Sequence, residues 1–298
     1  MYYVEASKPV TTPWQKLGFK LKLGLRPRAE SQWLPHIDLF GDEAERAAQM
    51  NKKAQLFACK HAEVFAALPA ARAASAELLK SVTNHICKYH PSPPLPIDPA
   101  QHPLEAAASL VPEDMLLLAP RGAADSRNPE RILWHLEAAA LAFPAHWVLA
   151  EKMDQPLQTI HQPVPHYDER LATPVDRFFT AMQIGPISSR LNWSLQIGDQ
   201  LFTPQRTARQ PSTADKDLGA LFLRMENQTL RKLPHSGYVV FTIRTHLLPM
   251  KKWQDDRDAL QSILDMMHQM SPATQRYKGV KLYAPIICNA LRRLGQAI

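Results

Sequence analysis

Three successive stretches between Arg190 and Leu247 alternate in character residue by residue, and this constrains the fold more than any other feature. In Arg190–Ile197, Leu191, Trp193, Leu195 and Ile197 fall on one side, with Arg190, Asn192, Ser194 and Gln196 on the other. Leu221–Leu230 groups Phe222, Arg224, Glu226 and Gln228 in the same way. Tyr238–Leu247 is rich in β-branched residues and follows a Ser236-Gly237 turn. A period of two belongs to strands, whose successive side chains point to opposite faces.

The sequence before these strands is helical first and extended later. Residues 42–68 carry Ala47, Met50, Ala54, Phe57, Ala58, Val64 and Phe65 at helical spacings, and 71–88 place Leu78, Leu79, Val82 and Ile86 on one face. Residues 1–42 lack periodicity and read as an extended arm with turns. The stretch HPSPPLPIDPAQHP at 90–103 cannot be helix or central strand. It divides the chain into a mainly helical N-terminal region (1–90), a proline-rich connector (91–103) and a main domain (104–298). Beyond it, Met115–Leu118 and Ile132–Phe143 read as strands around the turn-rich RGAADSRNPE, and a short helix is expected near Ala145. Prolines 163 and 165 predict an extended segment over 159–167. Helices are expected over 168–183, 255–269 and 285–296. Helices, then strands, then helices indicate an α+β fold with a mainly antiparallel sheet.

Composition excludes several functions. Twenty-six prolines accompany only 10 glycines, and neither GxGxxG nor GxxxxGK[ST] occurs, so no dinucleotide or P-loop motif is present. Electrons for any redox chemistry would come from another protein. Three scattered cysteines form no zinc or CxxCH spacing, so any haem would be non-covalent; they read as reduced, mostly buried thiols. The net charge of +7 comes from dispersed residues without a basic run, which argues against nucleic acid. No apolar stretch is long enough to span a membrane, and the N-terminus lacks a secretory h-region, so a cytoplasmic protein is expected. GxSxG and HExxH are both absent.

Three clusters could carry chemistry. Arg190 and Asn192 put a cation and an amide on one strand face, with Trp193 opposite; a surface ion pair and a core tryptophan would look the same. Arg224 and Glu226 could hold an ammonium or move protons, or form a cross-strand salt bridge. His161, in Ile160-His161-Gln162-Pro163-Val164-Pro165, suits a fixed imidazole ligand, because prolines reduce the entropy lost in holding it. The chain has 12 histidines, so spacing cannot select a metal ligand.

The string Leu223-Arg224-Met225-Glu226-Asn227-Gln228-Thr229-Leu230-Arg231-Lys232-Leu233-Pro234, then Ser236-Gly237 and Phe241-Thr242-Ile243-Arg244-Thr245, resembles the haem-dependent oxidative N-demethylase alpha-subunit family. The His161 and Arg190-Leu191-Asn192-Trp193 motifs match in order, with weaker echoes at Leu25-Arg26-Pro27, Glu113-Asp114, Phe143-Pro144 with Trp147 and Lys152, and Tyr277-Lys278-Gly279. The resemblance spans about residues 20–290.

The resemblance implies a PAS-like antiparallel sheet flanked by helices and holding haem b. It implies oxidation of a small methylated amine such as dimethylamine by O2: a methyl C–H is hydroxylated, and the carbinolamine falls apart to amine and formaldehyde. NADPH, FMN and a 2Fe-2S cluster would act only through a partner reductase. Carried over, His161 is the iron ligand. Glu226 handles protons or the substrate ammonium, with Arg224 beside it. Arg224, Arg190 and Asn192 bind propionates or orient the pocket, Trp193 and Phe241 wall it, and Arg244 joins the cofactor-binding set through its motif. Many relatives carry arginine after the glutamate where this chain has Asn227; by alternation that side chain points away from Glu226. A non-catalytic haem sensor or carrier and an adaptor without haem are the alternative readings.

Overall fold

The computed structural model describes Thr12, Trp14 and residues 24–122, 132–205 and 217–296. In chain order its main elements are β1 (Arg26–Arg28), α1 (Glu43–Cys59), β2 (Phe65–Ala67), α2 (Arg72–Tyr89), α3 (Pro103–Ser109), β3 (Asp114–Gly122) and β4 (Ile132–Ala140). Then follow α4 (Ala172–Ala181), β5 (Ile187–Ile197), β6 (Leu221–Lys232), β7 (Val239–Pro249), α5 (Arg257–His268), α6 (Pro272–Lys278) and α7 (Val280–Gln296). The described strands form one sheet in the order β1-β5-β6-β7-β3-β4-β2, with every neighbouring pair antiparallel. The fold is α+β. Strands β3 and β7, the first and last of the five long strands, lie side by side at the centre.

Apolar burial on both faces holds the sheet. On one face, Met115, Leu117 and Val240 pack with Trp33, Phe57, Leu78, Val82, Ile86 and Leu104. Residues from both sides of the 91–103 connector therefore share one cluster. Further along that face, Trp193, Leu195, Leu223 and Met225 meet Leu260, Ile263 and Ile287 of the C-terminal helices. The other face is covered only in part: Leu116, Leu118, Trp134, Leu136 and Val239 pack against Leu157, Ile160, Tyr167 and Phe179. Side chains start three of the helices, of which α6 was not expected from the sequence. Asp42 caps α1, Asp256 caps α5 and Ser271 caps α6, each contributing about 1 kcal/mol.

Several expectations need correction. The helix expected over 42–68 stops at Cys59, where Lys60 leaves the helical region (φ −137°, ψ 33°). Phe65–Ala67 instead pair with Ala138–Ala140, so the helical N-terminal region also supplies both edge strands, β1 and β2. The strand expected to reach Phe143 ends at Ala140. The last helix begins at Val280, directly after Gly279 (φ +69°), and accommodates Pro285 inside it. The cysteines are free but not buried, because Cys59 and Cys87 lie on solvent-facing sides of α1 and α2. Much of the 1–42 arm and of the RGAADSRNPE turn lies outside the described residues.

A buried ion cluster ties the N-terminal region to the sheet. His246 of β7 is fully buried; its Nε2 meets Asp38 Oδ2 and its Nδ1 meets Glu45 Oε1, both at 2.9 Å. Burial alone would lower the imidazole pKa, but the two carboxylates outweigh it and raise it to about 9. The folded pKa exceeds the unfolded value, so the stabilisation is complete below about pH 6.5 and is lost as pH rises through about 9. The full linkage amounts to about 3 kcal/mol, counted once for histidine and carboxylates together. Urea unfolding at pH 7 and pH 9.5 should show this loss, and His246→Gln should abolish the dependence. An equal pH slope in His246→Gln would place its origin elsewhere.

Candidate functional site

Strand register assembles the site. Asn192 pairs with Glu226 and Glu226 with Thr245; Arg190 pairs with Gln228 and Gln228 with Ile243; Ser194 pairs with Arg224 and Arg224 with Leu247. These residues share the partly covered face, where Arg190, Asn192, Glu226, Gln228, Phe241 and Ile243 remain only half-buried although β6 and β7 are interior strands. Interior sheet surface left half-covered is a natural seat for a flat ligand.

Glu226 anchors the face. Its Oε1 accepts from Arg224 Nε at 3.0 Å, and its Oε2 accepts from Asn192 Nδ2 at 3.1 Å and Gln228 Nε2 at 3.0 Å. Burial pushes the carboxyl up, but the Arg224 charge, the Asn192 bond and the more distant Lys278 charge together hold it below the usual glutamate range. It is ionised at neutral pH. Arg224 is 1% exposed, and its remaining nitrogens donate to Gln196 Oε1 and to the carbonyls of Leu201 and Phe143.

His161 reaches this face from the segment between β4 and α4. The prolines were expected to hold that segment extended, but Leu157–Ile160 form a helical turn and His161 closes it (φ −94°, ψ 4°). Leu157 and Ile160 bury themselves in the core beneath, which fixes the turn despite Pro163 and Pro165. His161 Nδ1 donates to Leu157 O at 2.8 Å, and its ring stacks on Tyr167 at 4.7 Å and 8°. Burial holds the imidazole below its ordinary pKa, with the Arg190 and Lys152 charges lowering it further. It is therefore neutral, with Nδ1–H spent on a backbone carbonyl and Nε2 without a hydrogen-bond partner among the described residues. A metal-binding histidine needs this arrangement.

Arg190 makes no hydrogen bond or ion pair with a described residue, although its charge is felt at both His161 and Glu226. Phe241 pairs with Leu230 and Leu116 and lies along the same face. The register thus gathers Arg190, Asn192, Arg224, Glu226 and Phe241, with His161 arriving from above.

Two expected members lie elsewhere. Trp193 points to the opposite face and is buried under the C-terminal helices; Lys278 donates to its carbonyl at 2.9 Å. Arg244 is also on the opposite face, 2% exposed, with Nη1 3.7 Å from Glu113 Oε1. Both were read from motifs, but each differs by one position in parity from the residues facing the site. Asn227 also faces away and accepts from Arg28 of β1 at 2.5 Å, as alternation requires. Alternation grouped Gln228 with Glu226 but gave it no role in the site, and it did not reach Phe143, which only tertiary structure brings in, or the bond from Arg224 to Gln196. Two surface clefts elsewhere, of about 620 and 420 Å3, contain none of the expected residues.

A family model described as haem-dependent oxidative N-demethylase, alpha subunit-like, matches residues 92–288, well over half of the chain. The chain belongs to this family. The match to the N-demethylase alpha-subunit-like family covers β3 to β7, His161 and the whole Glu226 cluster, while the Leu25-Arg26-Pro27 echo lies outside it. The donor set fits the haem dependence in the family's description: a neutral imidazole Nε2 and a guanidinium, neither with a partner among the described residues, beside a half-covered face. Among the described residues no helix is long and apolar enough to cross a membrane, and no cluster of His, Cys, Asp and Glu forms a separate metal site.

Proposed function

We propose that this chain is a haem b-binding oxidative N-demethylase subunit, with the cofactor on the half-covered face of β5–β7 in a PAS-like sheet. The observation that carries the reading is His161, a neutral imidazole held through Nδ1–H, with Nε2 lacking a hydrogen-bond partner among the described residues and the Arg190 charge acting on the ring. Bound haem would supply O2 activation and the oxidation that releases an N-methyl group of a small methylated amine as formaldehyde. His161 would hold the iron, Arg190 would meet a propionate, and Phe241 and Ile243 would provide apolar wall. Glu226, with Arg224 and Asn192 holding it, receives the substrate ammonium as an ionised carboxylate.

Electrons come from a flavin and iron–sulfur reductase that uses NADPH, since this chain has neither dinucleotide motif. The three free thiols and the absence of a spanning helix among the described residues support a cytoplasmic setting. One observation favours a non-catalytic haem carrier instead: three donors already engage the Glu226 oxygens, so an incoming ammonium must share them.

Purified protein titrated with hemin should develop a Soret band that shifts on reduction and again with CO. With a reductase present, dimethylamine should yield formaldehyde. A spectrum without demethylation supports the carrier, and a colourless protein that rejects hemin overturns both readings.

A further inference from the structure

A buried chain of alternating charge runs from α1 to Glu226. Lys53 is 1% exposed, and its ammonium donates to the carbonyls of Ala108 (3.2 Å), Val111 (3.0 Å) and Glu113 (2.6 Å), closing the turn from α3 into β3. The fully buried Asp114 carboxylate lies 3.9 Å from it. Asp114 Oδ1 accepts from Ala142 N at 2.8 Å, and Oδ2 accepts from Phe143 N at 2.9 Å. The carbonyl of the same Phe143 accepts from Arg224 Nη2, and Arg224 Nε donates to Glu226.

One residue, Phe143, therefore links two buried ion pairs through its own backbone. It precedes Pro144, which narrows its conformation, and its ring lies 5.9 Å from Lys53 Nζ. If Asp114 released the two amides, the loop after β4 would lose the bonds that aim the Phe143 carbonyl at Arg224, and the principal counter-ion of Glu226 would shift.

We propose that Lys53 and Asp114 are positioning residues for Glu226, acting through the Phe143 backbone and Arg224. The assignment rests on the reading of Glu226 as the group that receives substrate. Lys53 lies outside the residues matched to the family, so a helix from the N-terminal region sets the geometry of a carboxylate inside the match. Electrostatics agree with the geometry. Burial raises the Asp114 carboxyl to about 6 against the pull of Lys53, and burial lowers Lys53 to about 8 against the pull of Asp114 and Glu113. Without Lys53, Asp114 would be protonated near neutrality and accept more weakly. The other charged groups facing the chain are Arg244 at Lys53, and Lys278 and Arg190 at Glu226.

The test is a 13C NMR titration of side-chain carboxyls in the full chain, with the Glu226 resonance assigned by its loss in Glu226→Gln. In the native protein the Glu226 shift should show a secondary inflection near pH 6, where Asp114 titrates. Asp114→Asn should abolish this inflection and hold the Glu226 resonance at its low-pH position around neutrality, and Lys53→Met should move the inflection upward by about one pH unit or more. Leu78→Ala, a core change off the chain, should leave it in place. Should Asp114→Asn not fold, Lys53→Met and the native inflection carry the test. An unchanged Glu226 titration in the folded variants, with no native inflection, overturns the proposal. None of these measurements needs haem: a coupled titration in a protein that rejects hemin would refute the functional reading and leave the coupling standing.

Discussion

Replacing His161 with alanine should abolish the haem spectrum or reduce hemin affinity by at least about 100-fold, the largest effect expected of any single change in this chain. Removing a partner in a ligand's outer shell typically costs 10- to 100-fold in metal affinity, and removing the ligand itself costs more. His161 has no alternative employment: Nδ1–H is bonded to Leu157 O, the ring stacks on Tyr167, and Nε2 has no hydrogen-bond partner among the described residues. Burial holds its pKa below the ordinary value, so the haem-free protein retains a lone pair for iron at neutral pH. Added imidazole should restore much of the Soret band, because truncation leaves space beside Tyr167 and leaves Leu157 O free to orient the small molecule. His166→Ala serves as the control. His166 stands in the left-handed region (φ 62°) and its Nδ1 meets Glu169 at 3.2 Å, so it is already employed. An unaltered spectrum in His161→Ala, with a disturbed one in His166→Ala, would transfer the ligand assignment to His166.

The site was partly legible because strand alternation needs no knowledge of tertiary structure. Parity alone put Arg190 with Asn192, and Arg224 with Glu226 and Gln228, and turned Asn227 and Trp193 the other way. What parity could not supply was register, which joins Asn192 to Glu226 across 34 residues. Parity also separates Arg244 from Phe241, so including both in one set contradicted the rule that found the others. Edge strand β2 escaped notice for a different reason. Phe65-Ala66-Ala67 shows no alternation and continues a helical spacing, and only the free edge of β4 makes it extended. At His161 the prolines predicted an extended backbone, but it turns there because Leu157 and Ile160 are drawn into the core. The Lys53–Asp114 pair was invisible, since its meaning lies in two backbone bonds at Phe143.

Replacing Glu226 with glutamine should leave the haem spectrum intact and lower demethylation turnover on the order of 10²-fold. Glutamine retains the shape and one acceptor, so the fold should tolerate it, although that oxygen can then serve either Arg224 or the Asn192 and Gln228 amides but not both sides. The charge is what disappears. Burial raises the carboxyl pKa, but Arg224, Asn192 and Lys278 overcompensate, so Glu226 is negative throughout the neutral range. It can attract an ammonium or accept a proton there, and it cannot serve as a resting proton donor. Its folded pKa is depressed, so its contribution holds above about pH 4.5 and fades only as pH falls through a still lower value. The native acid limb assignable to Glu226 should therefore lie below pH 4.5. Kinetics divide the remaining possibilities: a rise in KM at constant kcat means ammonium binding alone, and an equal loss in kcat and kcat/KM means an interaction made only in the transition state. Native turnover in Glu226→Gln would reduce the residue to the counter-ion of Arg224.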